Sequence, residues 1–73
     1  MDIKLTEKNP IKKMVDNFAN EDIEIWWNAD KGKLSIYYLG YPTDQKDRLK
    51  LIIADYISSH QLMDSYRNVI IWN

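Results

Sequence analysis

Two segments of alternating apolar and polar residues, separated by a short turn, constrain the fold more than any other feature of this sequence. Residues 22–28 and 34–39 both follow the period of two that is typical of a half-buried β-strand. Between them, Ala29, Asp30 and Lys31 lead into Gly32, which can adopt the positive φ of a tight turn. The pattern therefore predicts a β-hairpin that ends by residue 40. Its core face is expected to carry Ile23, Ile25, Trp27, Leu34, Ile36 and Tyr38.

A helix is predicted on each side of this hairpin. The first follows Asn9-Pro10, a cap and first-turn pair, and ends near Asn20, which tolerates left-handed geometry. The second is expected to be capped by Thr43 and to run to about residue 61. The apolar stripe of the first helix is Ile11, Met14, Val15 and Phe18, with Lys12, Lys13, Asp16 and Asn17 on its polar side. The stripe of the second is Leu49, Ile52, Ile53, Tyr56, Ile57, His60 and Met63, with Leu51 opposite.

Two further segments have strand character. Residues 2–6 alternate weakly, although they can also be an extension that leads to a helix capped by Thr6. Residues 66–72 form a β-rich end after a turn at residues 64–65. We therefore expect residues 1–73 to form one α+β domain, a two-layer sandwich with two helices on one face of a mostly antiparallel sheet of three or four strands. The βαββαβ order of the ferredoxin-like, or split βαβ, fold is favoured, and αββαβ is the alternative.

The composition excludes several ways of stabilising so small a domain and several kinds of partner. The chain has no cysteine and one histidine, so disulfides are excluded and neither a metal site nor a cofactor is expected. The chain contains ten basic and eleven acidic residues, and neither half of the chain has the excess of one charge that a nucleic-acid-binding arm shows. Abundant Lys, Ile, Asn and Tyr are typical of AT-rich genomes, including those of phages and mobile elements of low-GC bacteria.

No catalytic constellation is recognisable, and we expect no enzyme. His60 is the one obvious acid–base residue, and it lies in the predicted apolar stripe, where a histidine is usually packed or complements a helix C-terminus. The serines lack the strained turn of a nucleophile elbow. Gly32 and Gly40 are isolated and form no phosphate-binding loop.

Aromatic residues on the predicted free face of the sheet are the strongest functional signal. Two helices cover one face only, and a free antiparallel face is normally polar. Because Trp26 and Trp27 are adjacent, one of them leaves the core in either register. Cross-strand pairing that stabilises the sheet is one interpretation, and a binding surface, which we favour, is the other. The predicted partner-binding residues are Trp26, Tyr37, Leu39, Tyr41 and Trp72.

These features predict a non-catalytic protein-binding module that occludes a larger protein. Inhibitors of defence systems such as CRISPR effectors, antitoxins and immunity proteins belong to this class, and a homodimer is a further possibility. The alternative is a single-stranded nucleic-acid-binding domain whose aromatics stack bases, but its basic companions are few: Lys31, Lys33 and Arg67. The first residues do not resemble a secretory signal, and the apolar run 51–54 is too short for a membrane span, so a cytoplasmic location is expected.

Overall fold

The computed structural model describes residues 1–73 and contains four strands and two helices in the order βαββαβ. The predicted α+β class and element order are therefore confirmed, and the first strand is present. The elements are β1 (Asp2–Lys4), α1 (Pro10–Ala19), β2 (Ile25–Asn28), β3 (Lys33–Tyr37), α2 (Thr43–Ser59) and β4 (Asn68–Trp72).

The four strands form one sheet in the spatial order β1-β2-β3-β4. β1–β2 and β2–β3 are antiparallel, whereas β3–β4 is parallel and is connected through α2. Each strand thus neighbours the next one in sequence, and the strands are not interleaved as in a split βαβ unit. The reason lies at β2, whose outer edge is occupied by β1: the pairing extends to Leu5, whose N–H donates to the carbonyl of Ile25 (2.9 Å).

The ends of α1 follow directly from its capping residues. The side-chain oxygen of Asn9 accepts hydrogen bonds from the N–H groups of Ile11 (2.8 Å) and Lys12 (3.3 Å), and Pro10 fills the first turn. Asn20 ends the helix in the left-handed region with φ 54°. Both ends are as predicted.

Lys12 corrects the prediction that this residue lies on the polar side of α1, because only 4% of it is exposed. Its ammonium donates to the largely buried Asp16 (2.6 Å) and to the exposed Asp22 (2.5 Å), so the buried charge is paired on both sides. Asp16 also accepts the N–H of Ile23 (2.9 Å). That N–H is therefore taken up outside the sheet, and β2 begins at Ile25 instead of at residue 22 as predicted.

Opposing effects act on the charge of Lys12. Burial disfavours the ammonium, but its hydrogen bonds and Coulombic attraction to Asp16 and Asp22 outweigh burial and raise the pKa of Lys12. The hydrogen bond from Lys12, with the attraction of its charge, lowers the pKa of Asp22. The cluster thus favours the charged form of both groups.

The helix α2 differs from its prediction at both ends. Its N-cap is Pro42, whose carbonyl accepts the N–H of Lys46 (3.1 Å), so Thr43 is the first helical residue and not the cap. The helix ends at Ser59, and Gln61 then reverses the chain with φ 56°. His60 and Met63 consequently lie outside the helix and are exposed, which corrects their placement in the apolar stripe. Ile52, although helical, is exposed as well.

One hydrophobic core lies between the helices and the sheet. Trp27 packs at its margin: its ring contacts Tyr66 (centroids 5.7 Å apart), and its indole N–H donates to the carbonyl of Ser65 (3.0 Å). Tyr66 lies outside β4, which begins at Asn68 and is shorter than the predicted segment 66–72. The buried apolar residues are Leu5, Ile11, Val15, Ile23, Ile25, Leu34, Ile36, Tyr38, Leu49, Ile53, Ile57 and Ile71.

Candidate protein-binding face

Both helices pack on the same side of the sheet. Buried residues of α1 and α2 share one core cluster with Ile25, Leu34, Ile36 and Ile71, and the two helices contact each other. We call the opposite side of the sheet, which no helix covers, the open face. Its side chains follow from the strand alternation and register. They belong to Asp2, Lys4, Trp26, Asn28, Lys33, Ser35, Tyr37, Asn68, Ile70 and Trp72.

Residues that are register partners across the strands form rows on the open face, and the middle row is an apolar surface built over a small residue. Ser35 on β3 lies between Trp26 on β2 and Ile70 on β4 in the strand register. Trp26 and Ile70 are half-buried, and Ser35 is only 8% exposed, although no helix covers this side. The larger neighbours therefore close over Ser35 and produce a continuous apolar centre.

The next row presents two stacked aromatic rings. Tyr37 and Trp72 are register partners on β3 and β4, and their ring centroids lie 6.2 Å apart with an interplanar angle of 11°. Tyr37 remains 38% exposed and Trp72 43% exposed. Stacking stabilises the pair across the strands, as one interpretation of the sequence expected. It leaves a large part of both rings in water, so cross-strand packing alone does not account for them.

The ring of Trp26 is oriented by a hydrogen bond. Its indole N–H donates to a carboxylate oxygen of Glu24 (2.6 Å), two residues earlier in the chain. An aromatic side chain that is already held in one orientation loses less conformational freedom when a partner binds. The same bond occupies the carboxylate of Glu24 at the margin of the open face.

Two of the predicted partner-binding residues lie away from the centre of the open face. Leu39 follows the end of β3 and is 59% exposed. The expectation that Tyr41 shares this face is wrong, because its ring stacks on the buried Tyr38 (centroids 3.9 Å apart) at the margin of the core. Gly40, with φ 83°, turns the chain between them, and the hydroxyl of Tyr41 donates to Glu21. Strand alternation stops at this turn and no longer predicts which way a side chain points.

The charges around the apolar centre are balanced. Lys4 and Lys33 on the open face are matched by Asp2, and by Glu24 at its margin. Arg67, counted with the basic residues in the sequence, donates to the backbone carbonyls of Asp64 (2.8 Å) and Asp30 (3.1 Å). The open face thus lacks the excess of positive charge that contacts with many phosphates require.

The remaining polar features are dispersed over the molecule. His60 is exposed, stacks on Tyr56 (centroids 4.1 Å apart) and has Nδ1 3.0 Å from the carbonyl of Tyr56. A polar cleft of about 370 Å³ is present. No group of three or more His, Asp or Glu side chains is arranged to hold a metal ion, and neither helix is long and apolar enough to cross a bilayer. The cleft is lined by Lys4, Leu5, Thr6, Glu7, Lys12 and Asp22.

The structure adds two residues that sequence reasoning did not single out. Ile70 and Ser35 complete the apolar centre beside Trp26, Tyr37 and Trp72. The sequence predicts a β-rich end over residues 66–72, but the face on which each of its residues lies depends on the register with β3, which the sequence does not state. A small residue such as Ser35 carries no hydrophobic signal by itself.

Comparison of this chain with protein-family models, with curated proteins and with solved structures finds no match. The site itself is therefore the basis for a functional proposal.

Proposed function

We propose that this chain is a non-catalytic protein-binding module, and that the open face is the surface that contacts a larger protein. The observation that carries the proposal is the stacked pair of Tyr37 and Trp72, which stays 38% and 43% exposed on a sheet face that no helix covers. Tyr and Trp are enriched among the residues that contribute most to protein–protein binding. A large exposed aromatic surface on a small domain is costly unless a partner covers it.

The arrangement of the open face supports a protein partner. Its apolar centre of Trp26, Ile70, Tyr37 and Trp72 is bordered by polar and charged side chains of both signs, which is the anatomy of a protein interface. Four strands spaced by about 4.8 Å make the face about 14 Å wide. Since a standard interface buries about 800 Å² per partner, the partner also has to contact the surrounding rim, where Leu39 is exposed.

Occlusion of a larger protein is the mode of action that we propose for this domain. Phage inhibitors of bacterial defence systems (including those of CRISPR effectors), antitoxins and immunity proteins act in this way, and we place the chain among them. The abundance of Lys, Ile, Asn and Tyr, which is typical of AT-rich genomes, supports an origin in a phage or mobile element. A chain without cysteine suits a reducing compartment, and we propose the cytoplasm.

Two exposed leucines provide a matched pair for identifying the partner. Leu39 lies beside the open face and is 59% exposed, whereas Leu51 lies on α2 and is 70% exposed. A photoreactive phenylalanine analogue is placed at one position or the other, and the chain is irradiated in extract of its native host. We expect one protein to be cross-linked from position 39 and not from position 51. Cross-linking from position 51 alone would place the interface on the helices instead.

Titration of the purified partner then measures the contribution of the open face. Tyr37→Ala and Trp72→Ala should each weaken binding by about 30- to 1000-fold, the effect of truncating an aromatic hot spot. Leu51→Ala is the control and should bind normally. Tyr41→Ala should mainly lower the melting temperature and change the affinity little, because Tyr41 packs on Tyr38. Normal binding by both open-face variants would contradict the proposal.

The salt dependence of binding separates a protein interface from the nucleic-acid alternative. Binding of single-stranded DNA or RNA weakens steeply with salt, because phosphate contacts release counterions. An interface centred on Tyr and Trp should depend only weakly on salt. Tight, salt-sensitive binding of an unstructured oligonucleotide, lost in Trp72→Ala, would favour the alternative.

A further inference from the structure

The strand β4 forms an edge of the sheet and is bonded on one side only. It pairs with β3 and has no further neighbour in the strand order. The N–H of Asn68 donates to the carbonyl of Gly32 (3.0 Å), and the carbonyl of Trp72 accepts the N–H of Tyr38 (3.0 Å). The backbone groups of the even-numbered residues Asn68 and Trp72, at the two ends of β4, therefore point towards β3.

The odd-numbered residues of β4 present unpaired backbone groups. In a parallel pair of strands, alternate residues bond to the same neighbour, so Ile70 bonds to β3 like Asn68 and Trp72. Val69 and Ile71 consequently direct their N–H and C=O groups away from the sheet. No backbone group of a loop bonds with either residue. Two donors and two acceptors are thus available along this edge.

The two edges of the sheet differ in their protection against strand pairing. β1 is three residues long, and two of these, Asp2 and Lys4, are charged, which discourages the addition of a further strand. β4 has five residues in unbroken register with β3, and it contains no charged residue, proline, glycine or bulge. Such an edge is suited to pairing with another strand.

We infer that β4 is the interface for a second copy of this chain, and that two copies pair antiparallel, edge to edge, into one continuous sheet of eight strands. The edge is self-complementary about Ile70. A two-fold axis at Ile70 places Val69 of each copy opposite Ile71 of the other, which pairs all the outward N–H and C=O groups in four hydrogen bonds. This inference goes beyond the proposed partner-binding role and does not depend on it.

The side chains of β4 are compatible with this symmetric pairing. Ile70 meets Ile70 of the second copy at a position where side chains approach most closely, and Trp72 lies opposite Asn68. Because β4 is uncharged, no like charges face each other along the paired strands. The two open faces become continuous, so that one dimer presents two stacked Tyr37–Trp72 pairs on the same side.

Disulfide cross-linking tests the geometry directly, because the chain has no cysteine of its own. Ile70→Cys places the two thiols across the two-fold axis, with Cβ atoms about 5 Å apart before small adjustments. Tyr37→Cys lies on the same face, one strand further in and two residues along from the axis, about 20 Å from its symmetry mate. At equal concentration, Ile70→Cys should form the disulfide dimer at least about tenfold faster, because pairing raises the effective concentration of its thiol.

Tyr37 is more exposed than Ile70, so random collision predicts the opposite order of rates. A rate for Tyr37→Cys equal to or above that of Ile70→Cys would therefore overturn the inference. The unmodified chain provides a second measurement by sedimentation equilibrium. It should dimerise reversibly, and methylation of the backbone nitrogen of Val69 in a synthetic chain should weaken the dimer by at least about tenfold, since it removes outward donors. A chain that is monomeric up to about 1 mM would also overturn the inference.

Discussion

Replacing Gly32 by alanine tests how the hairpin turn and the start of β4 are held together. Gly32 has φ +60°, a region that residues with a Cβ atom rarely adopt. A Cβ atom at this position would also lie 2.9 Å from Cζ and 3.2 Å from the backbone nitrogen of Arg67. The guanidinium of Arg67 is itself held in place, because it donates to the carbonyls of Asp30 and Asp64.

The expected loss of stability has two parts. The left-handed backbone costs an alanine about 1–2 kcal/mol relative to glycine. Displacing the exposed Arg67 guanidinium breaks two hydrogen bonds to carbonyls, which we set at about 1 kcal/mol together because water replaces them. Gly32→Ala should therefore destabilise the fold by about 2–3 kcal/mol. In a domain of this size that corresponds to a fall in melting temperature of roughly 10–20 °C.

Gly40→Ala is the matched control, because Gly40 has φ +83° but no atom within 4 Å of the added Cβ. Gly40→Ala should lose only the roughly 1–2 kcal/mol of folding stability that the left-handed backbone costs an alanine. The assay is urea unfolding at low temperature for Gly32→Ala, Gly40→Ala, Arg67→Ala and the double variant Gly32→Ala/Arg67→Ala. In the double-mutant cycle, removal of the Arg67 side chain should reduce the cost of Gly32→Ala by about 1 kcal/mol.

Two results would refute this reasoning. If Gly32→Ala costs no more than Gly40→Ala, the close approach of Arg67 contributes nothing. If the cost of Gly32→Ala is the same with and without the Arg67 side chain, the contact with the guanidinium is not its cause.

Three further predictions concern the ion cluster of Lys12, Asp16 and Asp22. Lys12→Met should destabilise the fold by about 3 kcal/mol, because it leaves the largely buried Asp16 carboxylate without its counterion, whereas Lys13→Met on the exposed neighbour should change stability by less than about 0.5 kcal/mol in urea unfolding. The folded pKa of Asp22 is below its ordinary 3.8, so its ionised carboxylate contributes to the stability of the fold above that pH, and this contribution is lost as the pH falls through the lower folded value. Asp22→Asn should therefore flatten the acid limb of a profile of melting temperature against pH. The folded pKa of Lys12 is above 10.5, so its ammonium contributes to the stability of the fold below that pH, and this contribution is lost as the pH rises through the folded value. The alkaline limb of the same profile should therefore flatten in Lys12→Met. An unchanged alkaline limb would contradict the raised pKa of Lys12.

The local elements were largely determined by the sequence alone. The caps of α1 were predictable because Asn9 and Asn20 act on the backbone of their own helix. The hairpin was predictable because strand alternation and the turn at Gly32 both act within a few residues. The same alternation correctly placed Trp26 and Tyr37 on the face opposite the core, since one register directs Ile25, Leu34 and Ile36 together into the core.

Interactions between distant segments were decided only by the tertiary structure. Lys12 is paired not only with Asp16 on its own helix but also with Asp22, ten residues away on the approach to β2. The placement of Tyr41 depends on Tyr38 and on the turn at Gly40, beyond which strand alternation no longer applies. Such contacts depend on where the chain returns in space, and a periodic pattern along the sequence carries no information about that.

The composition of the open face follows the same division. Its aromatic residues are visible in the sequence, but the row of Trp26, Ser35 and Ile70 exists only because β4 pairs parallel to β3 in one register. A shift of one residue would turn Ile70 and Trp72 towards the core and Ile71 towards water. In that register Ile71 is buried in the core and Val69 packs against it, together with the buried residues of both helices. Local patterning therefore determined which residues form strands, whereas packing between the two layers decided which of them meet on one surface.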